Sequence, residues 1–247
     1  MSGSKYEVIY ADIKSKILDH TYDNGMYLPS ENEFTTMYGC SRNTVRRAIS
    51  HLTEEGFVQS HHGKGVRVIY QVSEKHDLTR YGVNGFKQTA ERNGYKVKTS
   101  VITLTTLVAD ARMSQKTHFK EGTELYFIKR IRSVDGVPKM VDTNLLRKDL
   151  VPGITTQIAE GSLFSYIENT LGMEIRTIKR SITVEHITEF DEKYLKLDGF
   201  NCLAVITSRS YNKNGEMFEY TESRNRPDIF MFNSVSITRH RGDDCIH

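Results

Sequence analysis

The sequence predicts an α+β protein in two parts, a small winged helix-turn-helix followed by a larger and mostly antiparallel α/β domain. Three observations carry this reading. Residues 28–65 set out a capped helix, a tight turn, a second basic helix and a glycine-flanked hairpin, in that order. Beyond Leu78 the rhythm changes to long alternating runs, punctuated by Asp135-Gly136 and Asn214-Gly215, both strong hairpin signals. A chain of 247 residues has room for one domain of about 70 residues and one of about 165, each able to bury a core.

Tyr6, Ile9, Tyr10, Ile13 and Ile17 form the apolar stripe of a first helix. Leu28-Pro29-Ser30-Glu31-Asn32-Glu33 then reads as a helix start, with Ser30 accepting from the amide three residues on and Glu33 reaching back to the amide of Ser30. The helix that follows places Phe34, Met37 and Tyr38 on one face, and Gly39 suits the left-handed position that ends it. Ser41 caps a further helix running to about Glu55, in which Val45, Ala48, Ile49 and Leu52 face inward. Asn43, Arg46, Arg47 and Ser50 are left pointing out, and Arg42 sits at the first turn, where a recognition helix meets base edges. Gly56 ends this helix. A strand beginning at Phe57-Val58 returns as Val66, Val68 and Ile69 after the tip His61-His62-Gly63-Lys64-Gly65, which makes a wing. Its glycines let backbone approach a groove or phosphates, and Lys64 adds a cation that counterion release would reward. The alternative is a helical domain whose charged face is merely solvated. The combination of caps, turn, outward arginines and wing favours a reader of DNA.

Composition adds little to this. Thirty-four basic against thirty-one acidic residues give a formal charge of +3. That balance permits DNA binding without demonstrating it, so local pattern outweighs the total. No apolar run is long enough to span a bilayer, and Met1-Ser2-Gly3-Ser4-Lys5 does not read as a signal peptide, so a cytoplasmic, soluble protein is expected. Cys40, Cys202 and Cys245 are far apart and make neither a metal-ligand spacing nor a disulfide framework; no metal or cofactor is expected.

Polar residues crowd into 71–77, which reads as a linker between a DNA-binding domain at 1–70 and a second domain at 78–240, with a tail at 241–247. In the second domain a helix is expected from Phe86 to about Arg92 and a strand over Val97–Val108. Leu125–Arg132 and Met140–Leu146 are strands about the Asp135-Gly136 turn. Ser162–Thr170 and Thr188–Leu197 read as helices; Glu174–His186, Leu203–Lys213, Glu216–Ser223 and Phe230–Arg239 read as strands.

Within Leu125–Arg132 the alternation puts Tyr126, Ile128, Arg130 and Arg132 on one face. Guanidinium groups at i and i+2 lie about 7 Å apart and are best tolerated when they share an anion, for which a phosphate is a natural candidate. Ser162, at a predicted helix N-terminus, adds a hydroxyl and free amides that favour an anion. The alternative is an exposed strand whose arginines meet carboxylates. Glu219, Thr221 and Ser223 share one side of their strand, with Phe218, Tyr220 and Glu222 on the other. Glu219 and Asp142 can accept from sugar hydroxyls, though each alone also suits a salt bridge.

Residues 5–70 resemble the winged helix-turn-helix of the GntR family of bacterial transcription regulators, through Leu28-Pro29-Ser30-Glu31, Ser41-Arg42-Asn43-Thr44-Val45-Arg46-Arg47-Ala48 and Gly63-Lys64-Gly65. The resemblance implies DNA contacts from Ser41, Arg42, Asn43 and Arg46, from Asn32 near the backbone, and from His62, Gly63 and Lys64 toward the minor groove. Asn32 departs from the arginine common at its position. Residues 78–240 resemble the effector-binding UTRA domain of the HutC branch of that family, whose fold is similar to chorismate lyase. This likeness assigns phosphate- or carboxylate-binding positions to Asn84, Gly85, Phe86, Arg130 and Arg132, and polar contacts to Asp142, Ser162 and Glu219. Asn225 falls where many members carry tyrosine. Tyr220-Thr221-Glu222-Ser223-Arg224 and Ser162–Glu168 are most similar to the trehalose operon repressors within the branch, which implies trehalose-6-phosphate as effector. The function so expected is that of a homodimeric, ligand-released repressor bound to operator DNA. Glucosamine-6-phosphate remains open as an alternative effector. An enzyme built on the chorismate lyase-like domain is the alternative of another class, with no motif in its favour; His118, His186 and His240 are scattered.

Overall fold

The computed structural model describes residues 4–71, 94–232 and 236. The chain divides into two compact units, and each is taken by itself.

The first unit comprises α1 (Lys5–Leu18), α2 (Glu31–Tyr38), α3 (Arg42–Glu54), β1 (Val58–His61) and β2 (Gly65–Val68). The helix ends form as their residues imply. Ser30 Oγ accepts from the Glu33 amide at 3.3 Å while the Glu33 carboxylate accepts from the Ser30 amide at 2.7 Å. Gly39 sits at φ 56°, in the left-handed region that ends α2, and Ser41 Oγ accepts from the Thr44 amide at 3.3 Å to start α3. Ile9, Ile13 and Ile17 close a core with Phe34, Val45, Ala48, Ile49, Leu52, Phe57, Val58 and Val68. Met37 departs from expectation: it is 55% exposed. The buried stripe of this short helix runs along the four-residue step from Phe34 to Tyr38, and a residue three positions on lies about 60° to the other side, beyond the contact with α3. The wing also gains an anchor that alternation did not predict. Residues 25–28 run beside β2, with the Val68 amide donating to Met26 O and the Leu28 amide to Val66 O, each at 2.8 Å.

The second unit is a six-stranded antiparallel sheet in the order β3-β4-β5-β8-β7-β6. Its strands are β3 (Val97–Val108), β4 (Glu124–Val134), β5 (Val137–Arg147), β6 (Ile175–His186), β7 (Cys202–Asn212) and β8 (Met217–Asn225). Asp135 and Gly136 both take positive φ, 49° and 80°, which gives the tight twist-matched turn between β4 and β5. Two hairpins, β4/β5 and β7/β8, meet along β5 and β8. This places Arg130 opposite Asp142 and Asp142 opposite Ser223. Among the described residues, four short helices flank the sheet: α4 (Ala111–Thr117), α5 (Thr156–Glu160), α6 (Leu163–Ser165), which continues as a π-helical turn over Tyr166–Thr170, and α7 (Glu189–Tyr194). One apolar cluster joins Ile128, Leu146 and Phe218 to Ala159, Leu163 and Ile167. Separate clusters gather Leu125, Leu145 and Tyr220 with Phe119, and Ile131, Val141 and Leu203 with Leu195.

Several elements differ from the sequence reading. α4 and α5, with seven and five residues, are too short to show a helical period and were not predicted. The helix expected over Ser162–Thr170 is three α-helical residues and a π turn, and the one expected to Leu197 stops at Tyr194, where Leu195 becomes extended and enters the core. Phe218 does not share a face with Tyr220: the register shift between Ser210 and Tyr211 leaves it without an opposite residue, and it packs with Ile128 and Leu146 instead. Residues 230–232, expected to begin a strand, follow a 3₁₀ turn at Pro227–Ile229 and are not in one. The expected helix at 86–92, linker residues 72–77 and the tail at 241–247 lie outside the described residues.

The exposure difference on α2 sets a test. Phe34→Ala should destabilise the first unit by about 3–5 kcal/mol, whereas Met37→Ala should stay within about 0.5 kcal/mol. Hydrogen-exchange protection of the α1–α3 amides reads this unit separately from the second.

Candidate nucleic-acid interface and effector site

The outward face of α3 carries the residues expected to meet DNA. Arg42, Asn43, Arg46 and Arg47 are all exposed, as are Ser41 at the cap and Asn32, the second residue of α2. His62, Gly63 and Lys64 form the exposed tip of the wing, where Gly63 takes φ 72° and Gly65 φ 109°. The arginines are not equivalent. Arg46 donates through Nε to both oxygens of Glu31 at 2.9 Å, and the Arg47 guanidinium stacks 3.8 Å over the ring of Tyr6. Tyr27 hydroxyl meets His61 Nδ1 at 2.7 Å with the two rings stacked, which ties the tip end of β1 to the segment before α2. Glu31, Tyr6 and Tyr27 escaped the sequence reading because each acts through a partner fifteen or more residues away.

In the second unit, the alternation of β4 does bring Arg130 and Arg132 side by side, and the anion between them is internal. Arg132 Nε donates to Asp142 Oδ2 at 2.6 Å, and Arg130 approaches the same oxygen at 3.5 Å. Arg130 also donates to Ala159 O at 3.0 Å and to Asn144 Oδ1 at 2.9 Å, so it braces α5 against the sheet. Ser223 donates to the other Asp142 oxygen at 2.6 Å. Asn144 Nδ2 extends the chain to Glu219 Oε1 at 3.0 Å, and Ser210 Oγ donates to Glu219 Oε2 at 3.0 Å. Asn144, Ser210 and Ser223 complete a network of which the sequence reading had nominated only the charged members. Ser162 stands apart from it: exposed, it caps α6 by accepting from the Ser165 amide at 3.2 Å. Asn225 is fully buried and donates to Ala204 O and Ser223 O, and among the described residues its Oδ1 has no hydrogen-bond partner. Asn84, Gly85 and Phe86 lie outside the described residues.

Two buried carboxyls of the network titrate in opposite directions. Burial pushes Asp142 up, but the charges of Arg132 and Arg130 and the Ser223 hydrogen bond more than reverse this and hold it below its ordinary value. Glu219 is raised by burial, against the opposing hydrogen bonds from Ser210 and Asn144. A raised carboxyl adds stability that is present below its ordinary pKa and is lost as pH rises through the raised one. Asp142 contributes in the reverse sense, above its ordinary pKa, and that contribution is lost as pH falls through the depressed value. No group of metal-ligating side chains occurs among the described residues, and no helix among them is long and apolar enough to cross a membrane.

Asp142→Asn leaves the buried Arg130 and the largely buried Arg132 without their carboxylate and should destabilise the second unit by about 3–5 kcal/mol in denaturant unfolding at neutral pH. Glu219→Gln should raise the thermal midpoint relative to the parent at neutral pH, with the gain shrinking toward about pH 4. A gain independent of pH would show that Glu219 is not raised in the folded protein.

Comparison with known proteins agrees with this architecture. Residues 5–68 match the model of the gntR family of bacterial regulatory proteins and residues 92–231 match the UTRA domain. The transcriptional regulator TreR of Bacillus subtilis is 32% identical over 232 residues, covering 94% of this chain and 97% of its own. The regulator GmuR of the same organism is 24% identical, covering 96% and 100%. Among solved structures, the possible transcriptional regulator YydK of B. subtilis superposes with a TM-score of 0.77 at 21% identity, over 95% of this chain and all of that one, and so supports the fold. The effector-binding domain of the B. subtilis trehalose repressor superposes with a TM-score of 0.53 at 26% identity, over 58% of this chain and 99% of that one. The chain is therefore a transcriptional regulator of the gntR family, with a helix-turn-helix N-terminal domain and a UTRA effector domain of the HutC type.

Proposed function

We propose that this regulator is a homodimeric repressor of a trehalose-utilisation operon and that trehalose-6-phosphate releases it from its operator. The observation that carries the ligand reading is the arginine pair on β4, already assembled around an anion: Arg132 engages Asp142 at 2.6 Å and Arg130 stands at 3.5 Å. A phosphate dianion offers these guanidiniums more charge and more acceptor oxygens than one carboxylate does. Glu219, Asn144 and Ser223, on the same network, accept from or donate to sugar hydroxyls. Support for trehalose comes from the similarity to TreR, a relative by name and near full length, and to the trehalose repressor's effector domain.

A single helix-turn-helix reads one half-site, so a pseudo-palindromic operator calls for two copies of the chain. The effector acts only through a difference in its affinity for two arrangements of the dimer, and the linker at 71–77 passes that difference to the reading heads. By the resemblance, Asn84, Gly85 and Phe86 would supply further phosphate- or carboxylate-binding positions.

Gel shifts with trehalose-6-phosphate, glucosamine-6-phosphate and fructose-6-phosphate in parallel decide the effector. Release by the trehalose ester alone is the expected result, and release by the amino-sugar phosphate alone would replace it. Arg132→Gln should lose most of the thermal shift that trehalose-6-phosphate gives the parent. This position is preferred to Arg130, whose removal would also free Ala159 O and loosen α5.

A further inference from the structure

Arg46 lies at the centre of the outward face of α3, and it is held there by a residue of the preceding helix. Its Nε donates to Glu31 Oε1 and Oε2, both at 2.9 Å. Glu31 is itself fixed, as the first residue of α2 directly after the Ser30 cap. Among the described residues the two terminal amino groups of Arg46 have no partner in the protein, while Nε is fully engaged. The neighbouring Arg47 differs, because its guanidinium rests on the neutral ring of Tyr6.

The ion pair contributes little to the fold. Arg46 is 64% exposed and Glu31 35%, and pairs in that setting are screened by solvent. A carboxylate on a surface that faces DNA also repels phosphates and lowers affinity for every duplex. Its presence beside the recognition helix therefore calls for a different benefit.

We propose that Glu31 is a positioning residue for base recognition. By occupying Nε it fixes the plane of the guanidinium and reserves the two terminal amino groups for a paired contact, the geometry that reads the O6 and N7 edge of guanine. Its charge also discourages Arg46 from settling on the nearest phosphate, a contact that carries no sequence information. Glu31 thus lowers total DNA affinity and raises discrimination. The inference rests on the DNA-reading function proposed above.

The test begins with selection of duplexes from a random library by the full chain. If the parent protein enriches no sequence, the DNA-reading function itself is overturned, independently of Glu31. With a selected duplex and a scrambled one in hand, Glu31→Gln is expected to bind the scrambled duplex more tightly. Its selected-to-scrambled affinity ratio should fall about tenfold. Glu54→Gln removes the same charge from the last residue of α3, where the side chain is 61% exposed and bonded to Ser50 rather than to Arg46. That variant should keep the ratio of the parent. In an Arg46→Ala background, Glu31→Gln should change the ratio no further, which a general charge effect would not produce. An unchanged ratio in Glu31→Gln, or an equal fall in Glu54→Gln, overturns the proposal.

Discussion

The second unit is organised around one buried carboxylate. Asp142 lies 3% exposed between two guanidiniums and a hydroxyl, and each of these comes from a different position in the sheet. Arg130 and Arg132 are two residues apart on β4, and without a counter-charge their proximity would favour neither the strand nor its burial. The β4/β5 register supplies the charge by placing Asp142 opposite Arg130, and the β5/β8 register brings Ser223 beside it. From there the network reaches α5 through Ala159 O and β7 through Glu219 and Ser210. A polar chain of this kind restricts the registers that the central strands can adopt, because a slip of one residue would bury unpaired charge.

Much of this was legible in the sequence, for identifiable reasons. The helix caps at Ser30 and Ser41, the left-handed Gly39 and the Asp135-Gly136 turn are local, and local chemistry alone specifies them. The alternation of β4 gave the shared face of Arg130 and Arg132 for the same reason. What stayed hidden depends on pairing between distant segments. Spacing along β4 shows that two arginines need an anion, but only the register shows that Asp142 already occupies that place. The face of Phe218 was misread because a bulge resets the period of two at one residue, without a glycine or proline to announce it. Short helices such as α5 carry too few residues for a period, yet Ala159 in α5 is one of the groups that fix Arg130.

Asn225, at the end of β8, is a fully buried carboxamide whose hydrogen bonds are all to the main chain. Its amide nitrogen serves Ala204 O and Ser223 O, and both of these are main-chain acceptors that a tyrosine at the position could not satisfy in the same way. The Asn225 side chain therefore ties β8 to β7 through Ala204 O.

The same chemistry, a guanidinium held by a carboxylate, appears in both units under opposite solvation. Arg46 and Glu31 face water, where exchanging one anion for another costs little, so the pair steers a side chain without resisting a partner. The side chains of Arg132 and Asp142 are 14% and 4% exposed, and there an incoming anion has to offer the arginines at least what the carboxylate gave and leave Asp142 with new donors. The hydroxyls of a sugar can provide those donors, and its phosphate the charge. Neither fragment does both. Under the proposed function, that double requirement is what would favour a phosphorylated sugar over inorganic phosphate or the free sugar.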